Sequence, residues 1–384
     1  MIAPNVDRMK AILQVRPRDI RVEIEKELEI ARARQGSVPL ATYVGWTGFG
    51  NLGDEMMLEV HRGLFPALTV LPYRPGAPAM VRRLWPSASA EYALGFLGGG
   101  TLINQSLKWK ARVDALLDRG VPVVCLGSGV APAGFRPAFE TGGLTEWSST
   151  LRRMSFVGVR GPVSEAALRD HGVEAHVMGD PVFSVEVDPG WTKPCEDPVV
   201  GLNVGVSAKT QLRGSPEVFL NRMTEAVHGL LTYGYRVRLM PVCPEDVASN
   251  VDLLGRLGSA GVDLVDCFGS SAAYMAEAGR CRVFIGQKLH ATALAIMARV
   301  PSAMLAYQPK CDEFMLSLGL GGHSLSTSDA SAEWVIEQVA ALSRDYDGMR
   351  QHIDEGVSYY RDLQLRWARR LERTLLTTGT VEVG

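Results

Sequence analysis

Residues 283–295 read VFIGQKLHATALA: a strand-like apolar run ends in Gly286, and Lys288 and His290 follow where a helical pattern begins. An imidazole titrates near neutrality and can give and take protons, while an ammonium beside it can hold an anion. The start of a helix is itself positive, so cations are disfavoured there unless an anion is bound. The pair therefore reads as an anion pocket with a proton-transfer group. The helix end and Lys288 are expected to lower the pKa of His290 until an anionic ligand raises it. A buried histidine bonded to backbone is the alternative.

Similar placements recur. Arg160 follows the apolar run MSFVGV, at the carboxyl end of a strand, where open α/β sheets bind ligands. Its planar fork suits a carboxylate or phosphate, and a pair with Asp180 is the competing reading. Lys310 stands at the next such junction, in AMLAYQPKCDEF, where Asp312 or Glu313 could instead hold it. The turn GWTGFGNLGDE fits G-x-G-x-x-G at Gly48, Gly50 and Gly53. A dinucleotide site is nevertheless disfavoured: the next strand ends LPYRPG without an acid for a ribose, and Asp54 and Glu55 would repel a pyrophosphate. Asp54 reads either as a helix cap or as a functional carboxylate. In GFLGGGTLIN, the glycines up to Gly99 and Gly100 allow close approach of main chain, and Asn104 and Gln105 add neutral polar groups. A binding loop is favoured over a tight turn.

The elements that must position these groups alternate. From residue 38 short β-rich runs (LATYVGW, LTVLP, ALGFLGGG, VPVVCLG, MSFVGV, AHVMG) are separated by helical stretches. The alternation pauses at DPVFSVEVDPGWTKPCEDP, residues 180–198, which reads as a linker, and resumes with VVGLNV, YRVRLMPV, VDLVDC, CRVFIG and PSAMLAY. Near-continuous apolar strands between helices predict parallel sheets covered on both faces. The expected organisation is α/β: an N-terminal helical segment over 1–37, a Rossmann-like domain over 38–187 and a second over 196–345. A helix over 346–384 would return to the first domain, with Ile353, Val357, Tyr360, Trp367 and Leu371 on its apolar face. Two doubly wound domains place a ligand in the cleft between them.

Composition narrows the class. A chain of 384 residues, 46% hydrophobic and 21% charged, is that of a soluble globular protein of two domains. A net charge of −2 gives no electrostatic case for nucleic acid. No apolar run reaches the ~18 residues of a membrane span, and the N-terminus has no signal-peptide pattern. The six cysteines are scattered singly, so buried reduced thiols, no metal site and a cytoplasmic location are expected.

Several segments together resemble the polysaccharide pyruvyl transferase family: GNLGDE (50–55), LGGGTLIN (97–104), GVRGPVSEAAL (158–168), GDPVF (179–183), KLHATALAIMARVPSAMLAY (288–307) and PKCDEF (309–314). The resemblance implies two Rossmann-like domains of GT-B type. It also implies transfer of a pyruvate unit from phosphoenolpyruvate to two hydroxyls of a sugar or glycolipid, giving a ketal. By analogy, Arg160, Lys288, Leu289 and Lys310 hold the donor, and His290 is the acid/base. Asp54 joins it on the acceptor side, where Asn51, Gly99, Gly100 and Asn104 supply acceptor or loop contacts. No cofactor is implied beyond phosphoenolpyruvate as co-substrate. A lipid-linked acceptor would bring transient contact with a membrane surface, and a homo-oligomer stays open. The family pattern carries Arg where this chain has Lys288, which keeps the charge but loses bidentate geometry. A GT-B glycosyltransferase using a nucleotide-sugar donor is thus the alternative. An NAD(P)-dependent oxidoreductase, resting on the glycine turn and Arg74, and a non-catalytic carbohydrate-binding relative are more distant ones.

Overall fold

A computed structural model of the chain describes residues 29–30, 33, 38–47, 52–73, 91–104, 106–131, 143–206, 214–258, 260–379 and 381. Within them lie two parallel sheets. The first carries β1 (Leu40–Val44), α1 (Leu52–Leu64), β2 (Thr69–Pro72), β3 (Leu94–Leu97), β4 (Gly100–Ile103), α2 (Lys108–Leu117), β5 (Val123–Val130), α3 (Leu144–Leu151), β6 (Phe156–Val159), α4 (Pro162–Arg169) and β7 (His176–Val177). Its order is β2-β1-β3-β5-β6-β7, with β4 continuing the line of β3 along the far half of β5. The second carries β8 (Val199–Asn203), α5 (Pro216–Thr232), β9 (Arg236–Leu239), α6 (Pro244–Leu257), β10 (Val262–Leu264), α7 (Ser271–Ala278), β11 (Val283–Gly286), α8 (Leu289–Met297), β12 (Ser302–Ala306), α9 (Pro309–Ser317), β13 (Ser324–Ser326) and α10 (Ala332–Arg344). Its order is β10-β9-β8-β11-β12-β13.

Strands such as β1, LATYV, and β12, SAMLA, are buried along their whole length because helices cover both faces. Several helices begin on proline, at Pro162, Pro216, Pro244 and Pro309, where a missing N–H costs nothing. In both sheets the winding direction reverses once, between β1 and β3 and between β8 and β11. Crevices outside the strand ends at such reversals are where open α/β sheets take ligands.

The long last helix, α11 (Tyr346–Thr378), returns to the first sheet. Ile353, Val357, Tyr360, Trp367 and Leu371 are buried along it, with Trp367 packed on Phe65 and Phe156. Gln364, a polar residue within that apolar stripe, donates to the Met178 and Asp180 carbonyls at 2.9 and 3.0 Å and accepts from Ser184 Oγ at 2.6 Å. One continuous apolar cluster runs from Met56, Met57 and Phe65 through Val182 and Phe183 to Leu289, Phe314 and Met315, so the two sheets share a core. The start of the segment read as a linker belongs to that core. Pro181–Ser184 form a turn of 3-10 helix, and Phe183 stacks between Phe314 and Tyr360. Of the expected N-terminal helix only Glu29, Ile30 and Ala33 are described; Ile30 and Ala33 pack on Leu40 and Leu71, and the remainder lies outside the described residues. Among the described residues no helix is long and apolar enough to cross a membrane.

Candidate active site

At the reversal of the second sheet, two buried amides fix the path of the chain into α8. Asn203, the last residue of β8, accepts from the Lys288 N–H at 2.9 Å and donates to the Met240 carbonyl. Gln287 clasps Gly205 by both ends of its amide, at 2.7 and 3.1 Å. Lys288 is then the extended residue preceding α8, which puts His290 in the first turn. The Lys288 ammonium lies 3.2 Å from a carboxylate oxygen of Asp246, a wholly buried residue in the first turn of α6. Burial opposes the charge on Lys288, yet Asp246, Tyr307 and Cys243 outweigh it and hold the pKa above the ordinary lysine value. The Tyr307 ring has Lys288 at 6.0 Å and Lys310, in the first turn of α9, at 5.0 Å.

On the first sheet, Arg160 follows β6 and is 1% exposed. Its Nε donates to Asp180 at 2.9 Å, while Nη1 is buried without a hydrogen-bond partner among the described residues. Asp180 also accepts from the Val182 N–H at 3.1 Å, and its own carbonyl is held by Gln364. Half of the guanidinium fork is thus fixed by a buried carboxylate, and the other half is not. The pairing with Asp180 and a ligand role for Arg160 are compatible.

The two sheets meet through their helix starts. An added Cβ on Gly53 would fall on the His290 ring, so the imidazole sits directly against the first turn of α1, which carries Asp54 and Glu55. The helix begins at Leu52, so Asp54 is inside its first turn and is not the cap. A second crossing ties the sheets nearby. Glu313 of α9, 4% exposed, accepts from the Ser164 N–H at 2.7 Å and so caps α4, whose preceding Gly161 has no side chain to do it.

Burial inverts the order of the two titrating groups at this junction. Burial, opposed by Asp180 and aided by Lys310 and Arg160, pushes His290 down to about 4. The direction matches the sequence expectation, but the main cause is desolvation, and the cations that act are Lys310 and Arg160 in place of Lys288. Burial, with Glu55, raises Asp54 to about 6 against the pull of Lys310, Arg160 and Lys288. The raised Asp54 contributes stability that is fully present below the ordinary carboxylate pKa and is lost as the pH rises through about 6. His290 contributes stability that is present above the ordinary imidazole pKa and is lost as the pH falls through about 4. Between those values folding moves one proton from imidazole to carboxyl, and the two slopes cancel. The two values thus exchange order, and between about pH 4 and 6 a protonated carboxyl stands beside a neutral imidazole, an acid next to a base.

The remaining predicted residues are placed as follows. Leu289 is 2% exposed and belongs to the shared core. A side chain on Gly99 would meet the Met57 sulfur at 2.5 Å, and one on Gly98 would overlap the Tyr43 ring; Gly100 has φ +98°. These glycines are thus explained by the chain's own packing and backbone. Asn104 spends its amide locally, donating to the Thr101 carbonyl and accepting from the Ser106 N–H, and its carbonyl accepts from Trp147. Asn51, Gly48, Gly50, Gln105 and Arg74 lie outside the described residues.

Sequence reasoning passed over Asp246, Asn203, Gln287, Tyr307 and Glu313. It also missed Tyr43, near the end of β1, whose hydroxyl is buried without a hydrogen-bond partner among the described residues. Burial and then Asp54 raise the Tyr43 pKa far above its usual value, so it stays a neutral phenol. A usable signal existed for Asn203 alone, as an isolated amide at the carboxyl end of an apolar strand.

Gly53→Ala isolates the contact between helix starts. Alanine favours the helix by about 1 kcal/mol over glycine, but its methyl group must displace the imidazole. Turnover is expected to fall roughly 10²-fold, the scale of a misplacement of about 1 Å, with the thermal transition of the fold retained. Unchanged steady-state turnover would show that the imidazole position is not critical.

A family model described as polysaccharide pyruvyl transferase matches residues 51–309. No curated protein matches the sequence. Among solved structures, the UDP complex of S. aureus MnaA is 10% identical with a TM-score of 0.59, over 90% of this chain and 98% of that one. UDP-GlcNAc 2-epimerase from Neisseria meningitidis, bound to UDP-GlcNAc, is 9% identical with a TM-score of 0.55, over 88% and 100%. A glycosyltransferase from Rickettsia africae is 10% identical with a TM-score of 0.52, over 95% and 96%. At these identities the likeness is one of fold: two doubly wound α/β domains of GT-B type.

Proposed function

Because this chain belongs to the polysaccharide pyruvyl transferase family, and is a sugar-modifying transferase on that ground, we propose that it moves a pyruvate unit from phosphoenolpyruvate to two hydroxyls of a sugar or glycoconjugate. The observation that carries the reading is the meeting of His290 with the Asp54 turn of α1, within the electrostatic reach of Arg160 and Lys310. Lys288 acts on the Asp54 side of the same junction.

The steps balance as follows. The first sugar hydroxyl attacks C2 of the donor as a proton is delivered to the methylene carbon, which becomes the methyl group of the product. The C2–O bond to phosphate then breaks, and the second hydroxyl closes the ketal at C2. Its proton leaves on the phosphate, so two hydroxyl protons end as one C–H and one phosphate O–H. His290, neutral in the free cleft, takes the hydroxyl proton, and as imidazolium supplies the one that the carbon needs. Arg160, with its free Nη1, and the two lysines stabilise the carboxylate and the departing phosphate.

A nucleotide-sugar donor is the second reading, favoured by Asp246, which already holds the Lys288 charge that a phosphoenolpyruvate oxygen would otherwise take up. Titration calorimetry with phosphoenolpyruvate and with UDP tests the choice. The first reading expects phosphoenolpyruvate to bind and UDP not to compete, and Lys288→Arg to preserve or improve use of phosphoenolpyruvate. Tighter UDP binding, together with loss of activity in Lys288→Arg, selects the second.

A further inference from the structure

A second pair of cations stands away from the donor groups, at the ligand-side edge of the first sheet. The chain leaves β4 through Asn104 and begins α2 at Lys108. The Lys108 ammonium lies 5.4 Å from the Trp46 ring centre and 5.2 Å from that of Trp109. The Arg112 guanidinium lies 4.6 Å from Trp109 and 5.7 Å from Tyr73. Trp46 and Trp109 meet edge to face at 5.1 Å. Trp46 follows β1 by two residues and Tyr73 follows β2 directly. This aromatic floor is therefore at the same sheet edge from which α1 presents Gly53 and Asp54.

Among the described residues no carboxylate answers these two charges. The acid of α2, Asp114, is already taken by Lys110 at 2.7 Å, by Arg153 at 3.6 Å and by the Thr150 hydroxyl at 2.7 Å. Among the described residues neither Lys108 nor Arg112 forms an ion pair. They are one helical turn apart, where like charges repel, and Lys108 opens a helix whose first turn holds no acid. Burial, followed for Lys108 by the charge of Arg112, lowers the pKa of both. The rings hold the stems in place by cation–π attraction but do not neutralise them. An anion with an apolar face, set against Trp46 or Tyr73, whose rings stay partly exposed, would satisfy every feature. A glycosyl phosphate has this form: the C–H face of a pyranose packs on an aromatic ring while the phosphate takes charge-assisted hydrogen bonds.

Resting on the reading of the chain as a pyruvyl transferase, we propose that Lys108 and Arg112, over Trp46, Trp109 and Tyr73, form the acceptor subsite, and that the acceptor is an anionic, phosphate-bearing glycan in preference to a neutral sugar. The test is calorimetry of the full chain with glucose 1-phosphate, galactose 1-phosphate and mannose 1-phosphate, beside each parent sugar and inorganic phosphate. At least one hexose 1-phosphate is expected to bind about tenfold more tightly than both its sugar and inorganic phosphate. Lys108→Gln/Arg112→Gln is expected to abolish that advantage with phosphoenolpyruvate affinity and the thermal transition unchanged. Trp46→Leu should lose the preference for the sugar phosphate over inorganic phosphate. The proposal is overturned if wild type shows no preference, if the preference survives in the double variant, or if the double variant loses phosphoenolpyruvate as well. A preference that depends on the two cations in a protein that does not bind phosphoenolpyruvate would sink the donor reading and leave this subsite standing.

Discussion

His290→Gln is expected to lower turnover by about 10²–10⁴-fold while donor affinity changes little. Glutamine keeps a hydrogen-bonding group beside the first turn of α1 but cannot carry a proton. The imidazole is neutral near pH 7, because burial holds its pKa near 4, and its Nε2 is buried without a hydrogen-bond partner among the described residues. A donor bringing a phosphate and a carboxylate beside it would reverse the effect of Lys310 and Arg160 and raise that pKa. The bound donor should therefore place the acid limb of kcat at higher pH than that of kcat/KM, with the imidazole still neutral when the hydroxyl gives up its proton, and the variant should lose this difference. In the free enzyme the acid limb of kcat/KM should lie near pH 4, since below it the imidazole is charged before substrate arrives. Turnover that persists in the variant, or affinity and turnover that collapse together, would make His290 a binding or structural residue. Asp54, with its pKa raised to about 6, would then be the next candidate for the proton transfer.

The parts of this site that the sequence discloses are those governed by local pattern. Lys288, His290, Arg160 and Lys310 each follow an apolar run and precede a helical one, so their place at the strand ends is legible from period and punctuation alone. The buried face of α11 is equally legible, and Gln364 could have been noticed as the one amide in register with Tyr360 and Trp367. What each of these groups pairs with is not legible. Glu313 caps a helix through an N–H 149 residues earlier, and Gln364 reaches a carbonyl 184 residues away. No periodicity encodes such partners, because a hydrogen bond depends on the folded path and not on spacing along the chain. The segment from Asp180 shows the same limit. Proline and acids in DPVFSVEVDP have the composition of a linker, but the sheets close over Val182 and Phe183 and make them core.

Arg160→Ala is expected to have two separable effects, and separating them decides what Arg160 is for. Its Nε holds Asp180 at 2.9 Å in a pair that is 1% and 0% exposed. Removing one partner leaves a carboxylate buried and unpaired, a loss of about 3–5 kcal/mol in stability for pairs of this kind. The same substitution removes the free Nη1, and donor affinity should fall by about 2–5 kcal/mol if that nitrogen faces the donor. A single variant cannot tell a missing ligand contact from a slackened fold. Arg160→Met/Asp180→Asn can, because it removes both charges, fills the volume, and keeps an oxygen to accept from the Val182 N–H. Replacing a buried pair by neutral groups is often without cost, so thermal stability should recover most of the way toward wild type. Donor affinity should not recover, since methionine cannot take the place of the guanidinium on the anion. Recovery of both in parallel melting and titration experiments would mean that Arg160 serves Asp180 and the 3-10 turn at Pro181–Ser184 alone. The anion would then have to be held by Lys288 and Lys310, the two ammonium groups that flank the Tyr307 ring.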